Sequence, residues 1–470
     1  MTNITVDPLN LFYSSANGVL FDAPKTTLIQ YPPGLAGSFT VPPGVTSIAA
    51  WSCYGCSRMS AVTISSGVTT IGAYAFYVCG SLASASIPAT ATNIGGWAFD
   101  DCNSLTTISV DPGNTAYSSA GGVLFDKNKT TLIQYPGGIS GNCVIPGTVT
   151  NIGSNSFQNC GNLTGLTIPY SVTCIGDNAL GSCINLTNFA IPSSVTNLGN
   201  YAVSYCDALT SMAVPGSVSN IGNYCLCDCT GLTNAVFSNG VASIGAYALL
   251  GCLSLAHVTI PNSVTNIGGG VFQSCSSLTN VTIPGSVAAI GQYAFESCSS
   301  LANVSLSNGV PAIGWGAFES CPCLSNITIP ASVTNIGSFA FQSCTNLSAA
   351  FFTGNAPTAD TTVFSAGTPA TSYYLWGTTG WSNTFAGRSA ILWNPQIQTG
   401  AAGMGMQTNH FWFNIIGPTN FVIVVQVCTN LLGSQVWTPL QTNTLTNGAF
   451  TFIEAAQPGL SGRYYRVVTQ

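Results

Sequence analysis

Nineteen cysteines, two histidines and thirteen acidic side chains are the groups through which this 470-residue chain could do chemistry. Nucleophilic catalysis needs a base beside the nucleophile and a third group to orient it. The two histidines, His257 and His410, lie in different parts of the chain and leave such an arrangement almost no material. Glu296 and Glu319 stand 23 residues apart, and two carboxylates brought to about 5 Å repel and can share a cation or a proton. A calcium site, however, takes about six to eight oxygens. The alternating thiols Cys225, Cys227 and Cys229, and the pair Cys321 and Cys323, are too tightly spaced for zinc, which prefers two or more intervening residues and a second such pair. No catalytic residue, cofactor or metal site is predicted, and His257 reads as a surface position on a strand.

The cysteines instead keep time. From Cys160 they recur every 23 residues at Cys183, Cys206, Cys229, Cys252, Cys275, Cys298, Cys321 and Cys344, and Cys56, Cys79 and Cys102 hold the same phase upstream. Ile-Gly pairs such as Ile290-Gly291 and Ile313-Gly314, and leucines such as Leu278, Leu301 and Leu324, repeat with the same period. A fixed period of this length marks a stack of identical coils. Twelve cysteines at one position in the coil make one buried column, whose side chains point the same way about 4.8 Å apart, a poor geometry for bridging. Free thiols are expected there. The off-column residues Cys53, Cys143, Cys174, Cys225, Cys227, Cys323 and Cys428 leave room for a bridge.

One coil can be read from Leu278 to Cys298. Val281 and Ile283 alternate with Thr282, the period of a half-buried strand, and Pro284 ends it by removing a donor. Val287 and Ile290 form a second short extended piece closed by Gly291, and Tyr293 to Cys298 predict one short helical turn. A lone coil cannot hide either face, so Leu must stack on Leu, Ile on Ile and Phe on Phe.

This order of Leu, Ile-Pro, Val, Ile-Gly, Ala-Phe and Cys resembles the BspA-type leucine-rich repeat of bacterial surface proteins, over roughly residues 1–350. The resemblance implies a repeat solenoid of parallel β-sheets, a cysteine column that satisfies buried backbone at the bend, adhesion to proteins or microbes, and no catalytic residues. The departures are Ile48-Ala49 in place of Ile-Gly and Ala91 in place of Val.

Residues 13–22 recur at 117–126, a shift of 104 that also carries Cys56 onto Cys160, so a block is duplicated. Each copy holds a β-hairpin insertion, at about 13–35 and 117–139, with Lys25, Lys127 and Lys129 at the tips. These charges read as solubilising turns or as a contact for an acidic partner. Residues 351–396 are expected to cap the array, 397–409 to form a linker, and 410–470, with five or so short apolar runs, to form a small β-sandwich-like domain. That tail resembles C-terminal modules on surface proteins of environmental bacteria such as Verrucomicrobia.

Charged residues are only 4% of the chain, against about 25% in an average soluble protein, and no Lys or Arg occurs between Lys129 and Arg388. Nucleic-acid binding is disfavoured because phosphates would go unneutralised. Membrane insertion is disfavoured because no apolar run reaches about 18 residues. Met1-Thr2-Asn3 leads straight into repeat sequence without a secretory signal, so the leader is expected to have been removed, or the chain to belong to a longer product. The surface then offers rows of Asn280 and Thr282, Asn303 and Ser305, Asn326 and Thr328 as a candidate binding face for extracellular proteins or glycans. The alternative is a structural subunit that stacks end to end into extracellular filaments, since Ile4 and Val6 match the strand at Ile108 and Val110 and leave an edge ready to pair.

Overall fold

The computed structural model describes residues 1–375, 377–393, 396–398, 403–407, 410–417, 421–429, 436–455 and 463–469. Its body is a parallel β-solenoid of 23-residue coils. Asn280–Ile283 pairs in parallel with Asn303–Leu306, residue for residue at a register of 23. Val281 and Ile283 turn inward, and Asn280 and Thr282 turn to solvent. A second ladder of two-residue strands, among them Asn151–Ile152, Cys174–Ile175 and Asn197–Leu198, runs beside it with every isoleucine or leucine buried. This second sheet continues through nine strands from Tyr117–Ala120 to Asn266–Ile267. Downstream of the second hairpin the first is interrupted three times, after Asn188–Phe189, after His257–Thr259 and after Asn303–Leu306.

The third side of each coil corrects the expectation of a helical turn, and no helix occurs among the described residues. In the corner from Gly291 to Cys298, the N–H groups of Tyr293, Phe295 and Ser297 donate forward to the carbonyls of Trp315, Ala317 and Glu319 at 2.8–2.9 Å. Those of Ala294, Glu296 and Cys298 fold back onto Gly291, Tyr293 and Phe295 at 3.1–3.3 Å. Such alternation requires left-handed backbone at Tyr293 (φ 56°) and Ser297 (φ 59°). A helix would point every N–H along its own axis and leave the next coil without donors.

Each hairpin insertion is a three-stranded antiparallel piece: Tyr117–Ala120, Val123–Asp126 and Thr131–Gln134, with the last strand joining the solenoid in parallel with Asn151–Ile152. The coil that carries it has no corner. Tyr135 donates its N–H to Ser156 at 2.7 Å and Gly138 to Leu105 at 2.8 Å, so the chain passes directly to the next level. The apolar interior divides here into two clusters, one from Val19 to Leu124 and one from Phe125 to Ala390. Residues 1–7, counterparts of the strand Thr107–Val110, are not a strand. Ile4 is held by its N–H to Gly18 at 2.9 Å, while Thr107–Val110 owes its ladder to Ser84–Ile87.

At the other end Thr371–Leu375 and Arg388–Trp393 continue the parallel sheet beyond Ala349–Phe352, and Leu375 and Trp393 pack against the interior of the tail. The tail is two antiparallel sheets around Phe413, Ile415, Ile423, Val425, Leu445 and Phe452. The stretch expected as a linker, 397–409, instead supplies the strand Met404–Gln407, which pairs with His410–Ile416. Residues 399–402 and 408–409 of it lie outside the described part.

Candidate binding face and the thiol column

Where sequence suggested chemistry, the structure shows support. The eighteen cysteines other than Cys428 are free thiols, and the twelve column thiols are at most 1% exposed. Each donates to a main-chain carbonyl of the preceding coil. Cys298 Sγ reaches the Phe272 carbonyl at 3.1 Å, Cys321 reaches Phe295 at 3.1 Å and Cys344 reaches Phe318 at 3.1 Å. Cys56 and Cys160, which follow the cornerless coils, reach Tyr31 and Tyr135 at 3.7 and 3.6 Å. Burial pushes the Cys298 and Cys344 thiols up to about 12 and holds those of Cys160, Cys183 and Cys275 well above the usual thiol value. They are donors, not nucleophiles, since reactivity belongs to the thiolate.

The other candidates disperse. Cys225 and Cys227 are buried thiols raised by desolvation, Cys227 to about 12, and no group of three metal-ligating side chains occurs among the described residues. Glu296 and Glu319 each accept from a glutamine, Gln273 at 2.7 Å and Gln342 at 2.6 Å. Burial first and the Glu319 charge second raise the Glu296 carboxyl. His257 lies exposed on a strand opposite Asn234.

The six residues of the candidate face fall on three neighbouring strands. Asn280 stands beside Asn303 and Thr282 beside Ser305 in register. Asn326 and Thr328 lie one coil further on, across a break in the ladder where a cleft of ≈ 310 Å³ opens, lined by Asn303, Ser305, Asn326 and Thr328. Asn280 and Asn326 donate sideways to Thr279 and Ser325 at 3.1 and 3.2 Å. The hydroxyls of Thr282, Ser305 and Thr328 show no bond within the described residues.

That freedom distinguishes them from two rows of hydroxyls that bond the coil before. Ser171, Ser194, Ser217, Ser263, Ser286 and Ser332 donate to the valine carbonyl one coil back at 2.6–2.8 Å. Thr150, Thr173 and Thr196 form a second such ladder at 3.3 Å. The Ser-Val dipeptide ahead of Ile175-Gly176, Ile221-Gly222, Ile267-Gly268, Ile290-Gly291 and Ile336-Gly337 was the available signal.

A second feature that sequence reasoning missed lies at the joint between the duplicated blocks. The carboxyl of Asp100 is 1% exposed and accepts from Asn159 at 3.2 Å, and Trp97 donates to Gln158 at 3.0 Å. The second oxygen of Asp100, Asn155 Oδ1 and Ser156 Oγ have no partner. Burial, opposed by hydrogen bonds and reinforced by the charge of Asp101, lifts the Asp100 carboxyl to about 7.

A leucine-rich-repeat solenoid with a support column and an open polar face is the class these features define. The model of the BspA type leucine rich repeat region matches residues 36–140, 150–279 and 267–380, and the chain belongs to that family. No match is found among curated proteins. Among solved structures, a leucine-rich repeat protein from Bacteroides ovatus is 26% identical with a TM-score of 0.48, covering 74% of this chain and 94% of that one. A leucine rich cell surface protein from Faecalibacterium prausnitzii is 24% identical with a TM-score of 0.45, covering 75% and 97%. A leucine-rich repeat protein from Eubacterium ventriosum is 25% identical with a TM-score of 0.46, covering 58% and 88%.

Proposed function

We propose that this is a non-enzymatic protein of the cell surface or extracellular space that binds proteins or glycans through the strand face of its solenoid. The observation that carries this reading is the set of uncommitted hydroxyls on Thr282, Ser305 and Thr328, next to a cleft, while the row of Ser263, Ser286 and Ser332 is spent on the coil before. An uncharged row of donors and acceptors recognises hydroxyl- or amide-bearing ligands by hydrogen bonding, with little salt dependence. The surface location rests on the BspA-type family resemblance.

Binding of the purified chain to an array of extracellular-matrix proteins and glycans tests it. Saturable binding is expected, and the triple variant Thr282→Asp, Ser305→Asp, Thr328→Asp is expected to lose about tenfold or more in affinity. A blank array, or undiminished binding by the variant, sinks the reading. The second reading, end-to-end assembly into filaments, draws on the exposed Leu9, Leu11 and Phe12 at the N-terminal coil. Electron microscopy showing only monodisperse rods at high concentration would count against it.

A further inference from the structure

We infer that Trp51 and Tyr54 form a second contact site, a platform for an uncharged saccharide ring, away from the strand face. The inference rests on the binding role proposed above and gives it a separate location and ligand class.

Corners of successive coils carry aromatic side chains that stack along the solenoid. Trp51 lies on Tyr74 at 4.0 Å and 7°, and Tyr74 lies on Trp97 at 5.0 Å and 4°. The stack starts at Trp51 because the hairpin coil before it has no corner, so the ring face opposite Tyr74 meets no ring among the described residues. Tyr54 stands beside it at 5.4 Å and 71°, making an L of one floor and one wall. Both residues are 47% exposed.

The backbone of this corner adds acceptors on the same side. Its N–H groups at Trp51, Cys53 and Gly55 point to the following coil, and the alternate carbonyls of Ala50, Ser52 and Tyr54 point the other way. Ser52 receives Tyr31 at 2.7 Å. Among the described residues the Ala50 carbonyl has no donor, and that of Tyr54 has only the Cys56 thiol at 4.0 Å.

The internal duplication shows that the fold does not demand this aromatic pair. Shifted by 104, Trp51 becomes Asn155 and Tyr54 becomes Gln158, on the same left-handed backbone, φ 63° at Trp51 and 61° at Asn155. Asparagine is the residue that tolerates this conformation, and a bulky ring there is strained. The second copy uses Gln158 to reach Trp97 across the joint, whereas the first presents ring faces outward.

The chemistry selects the ligand. An aromatic face is electron-rich and attracts polarised C–H groups, and outward carbonyls take hydroxyl donors. A saccharide offers both, a C–H face and an O–H rim. Anions are repelled by rings and carbonyls alike. An ammonium is best held in a cage of several rings, and this site has one floor and one wall.

The test is tryptophan fluorescence of the full chain titrated with the hexasaccharides of glucose, N-acetylglucosamine, xylose and mannose, and with tetramethylammonium. At least one saccharide is expected to give a saturable change. Trp51→Asn with Tyr54→Gln, the pair the second copy already holds, is expected to lower affinity about tenfold or more at unchanged Tm, read by calorimetry. If that double variant melts early, Tyr54→Gln alone carries the comparison by calorimetric titration. No saturable binding to any of the four sugars, equal binding by the variants, or a response only to tetramethylammonium overturns the platform. If the titrated saccharides bind the platform variants normally but not the strand-face triple variant, the platform falls and the strand-face reading stands.

Discussion

At the scale of single residues, the cysteine column owes its regularity to a carbonyl. In each coil the carbonyl at the Phe position is buried, and a turn N–H reaches it at only 3.3 Å for Cys298 on Phe295. The thiol one coil further on completes its coordination, as Cys321 does at 3.1 Å. Removing a donor from a buried acceptor costs about 1–3 kcal/mol, so Cys298→Ala should lower stability by about that amount in urea denaturation. A change within error would assign the column to volume alone. Because the column thiols are buried, alkylation of the folded chain at pH 8 should label the exposed Cys323 first and reach the column only after unfolding. Asp100 gives the pH signature. Its carboxyl, about 7 in the fold, has an ordinary value of 3.8. Between these values the folded chain keeps a proton that the unfolded chain releases, so stability is highest below about pH 4, falls as pH rises through 7 and then levels off. Its neighbours are Asn159, Asp101, Cys102 and Cys160. Asp100→Asn should flatten that slope in pH-dependent thermal melts, and an unchanged slope would place the titration elsewhere.

Among the elements, the corner most needed the structure. Its composition, with alanine and glutamate, reads as a helix former, but the alternation of forward and backward N–H groups gives it a different use. The glycine of each Ile-Gly pair has a related reason. A Cβ on Gly291 would stand 2.3 Å from the Gly268 carbonyl oxygen, and one on Gly314 would stand 2.6 Å from that of Ile290. Backbone cannot withdraw as a flexible side chain can, so Gly291→Ala should cost about 1–3 kcal/mol by overpacking, seen as a lowered urea midpoint. Gly147→Ala, where nothing lies within 4 Å, is the matched control and should be near neutral.

Across the whole molecule, two apolar clusters meet at the cornerless coil between Leu124 and Phe125. Stacked repeats are held together by nearest-neighbour contacts, and this boundary replaces the corner ladder with side-chain bridges from Trp97 to Gln158 and from Asn159 to Asp100. Unfolding should therefore occur in two steps, detectable as non-coincident denaturant transitions by fluorescence and by circular dichroism. A single coincident transition would show that the hairpin transmits cooperativity undiminished.

The period, the parallel stacking, the identity of the buried rows and the duplicated hairpins were legible in the residues, because a fixed spacing of Leu, Ile, Phe and Cys has only one way to bury all its copies. The sequence also marked Thr282, Ser305 and Thr328 as outward-facing. Which hydroxyls stay free was decided by tertiary structure, since a serine bonded one coil back and one open to water look alike in a line of letters. The same holds for the breaks in the strand ladder, the open face of Trp51 and the burial of Asp100, each of which depends on what the neighbouring coil places, or omits, at the next level.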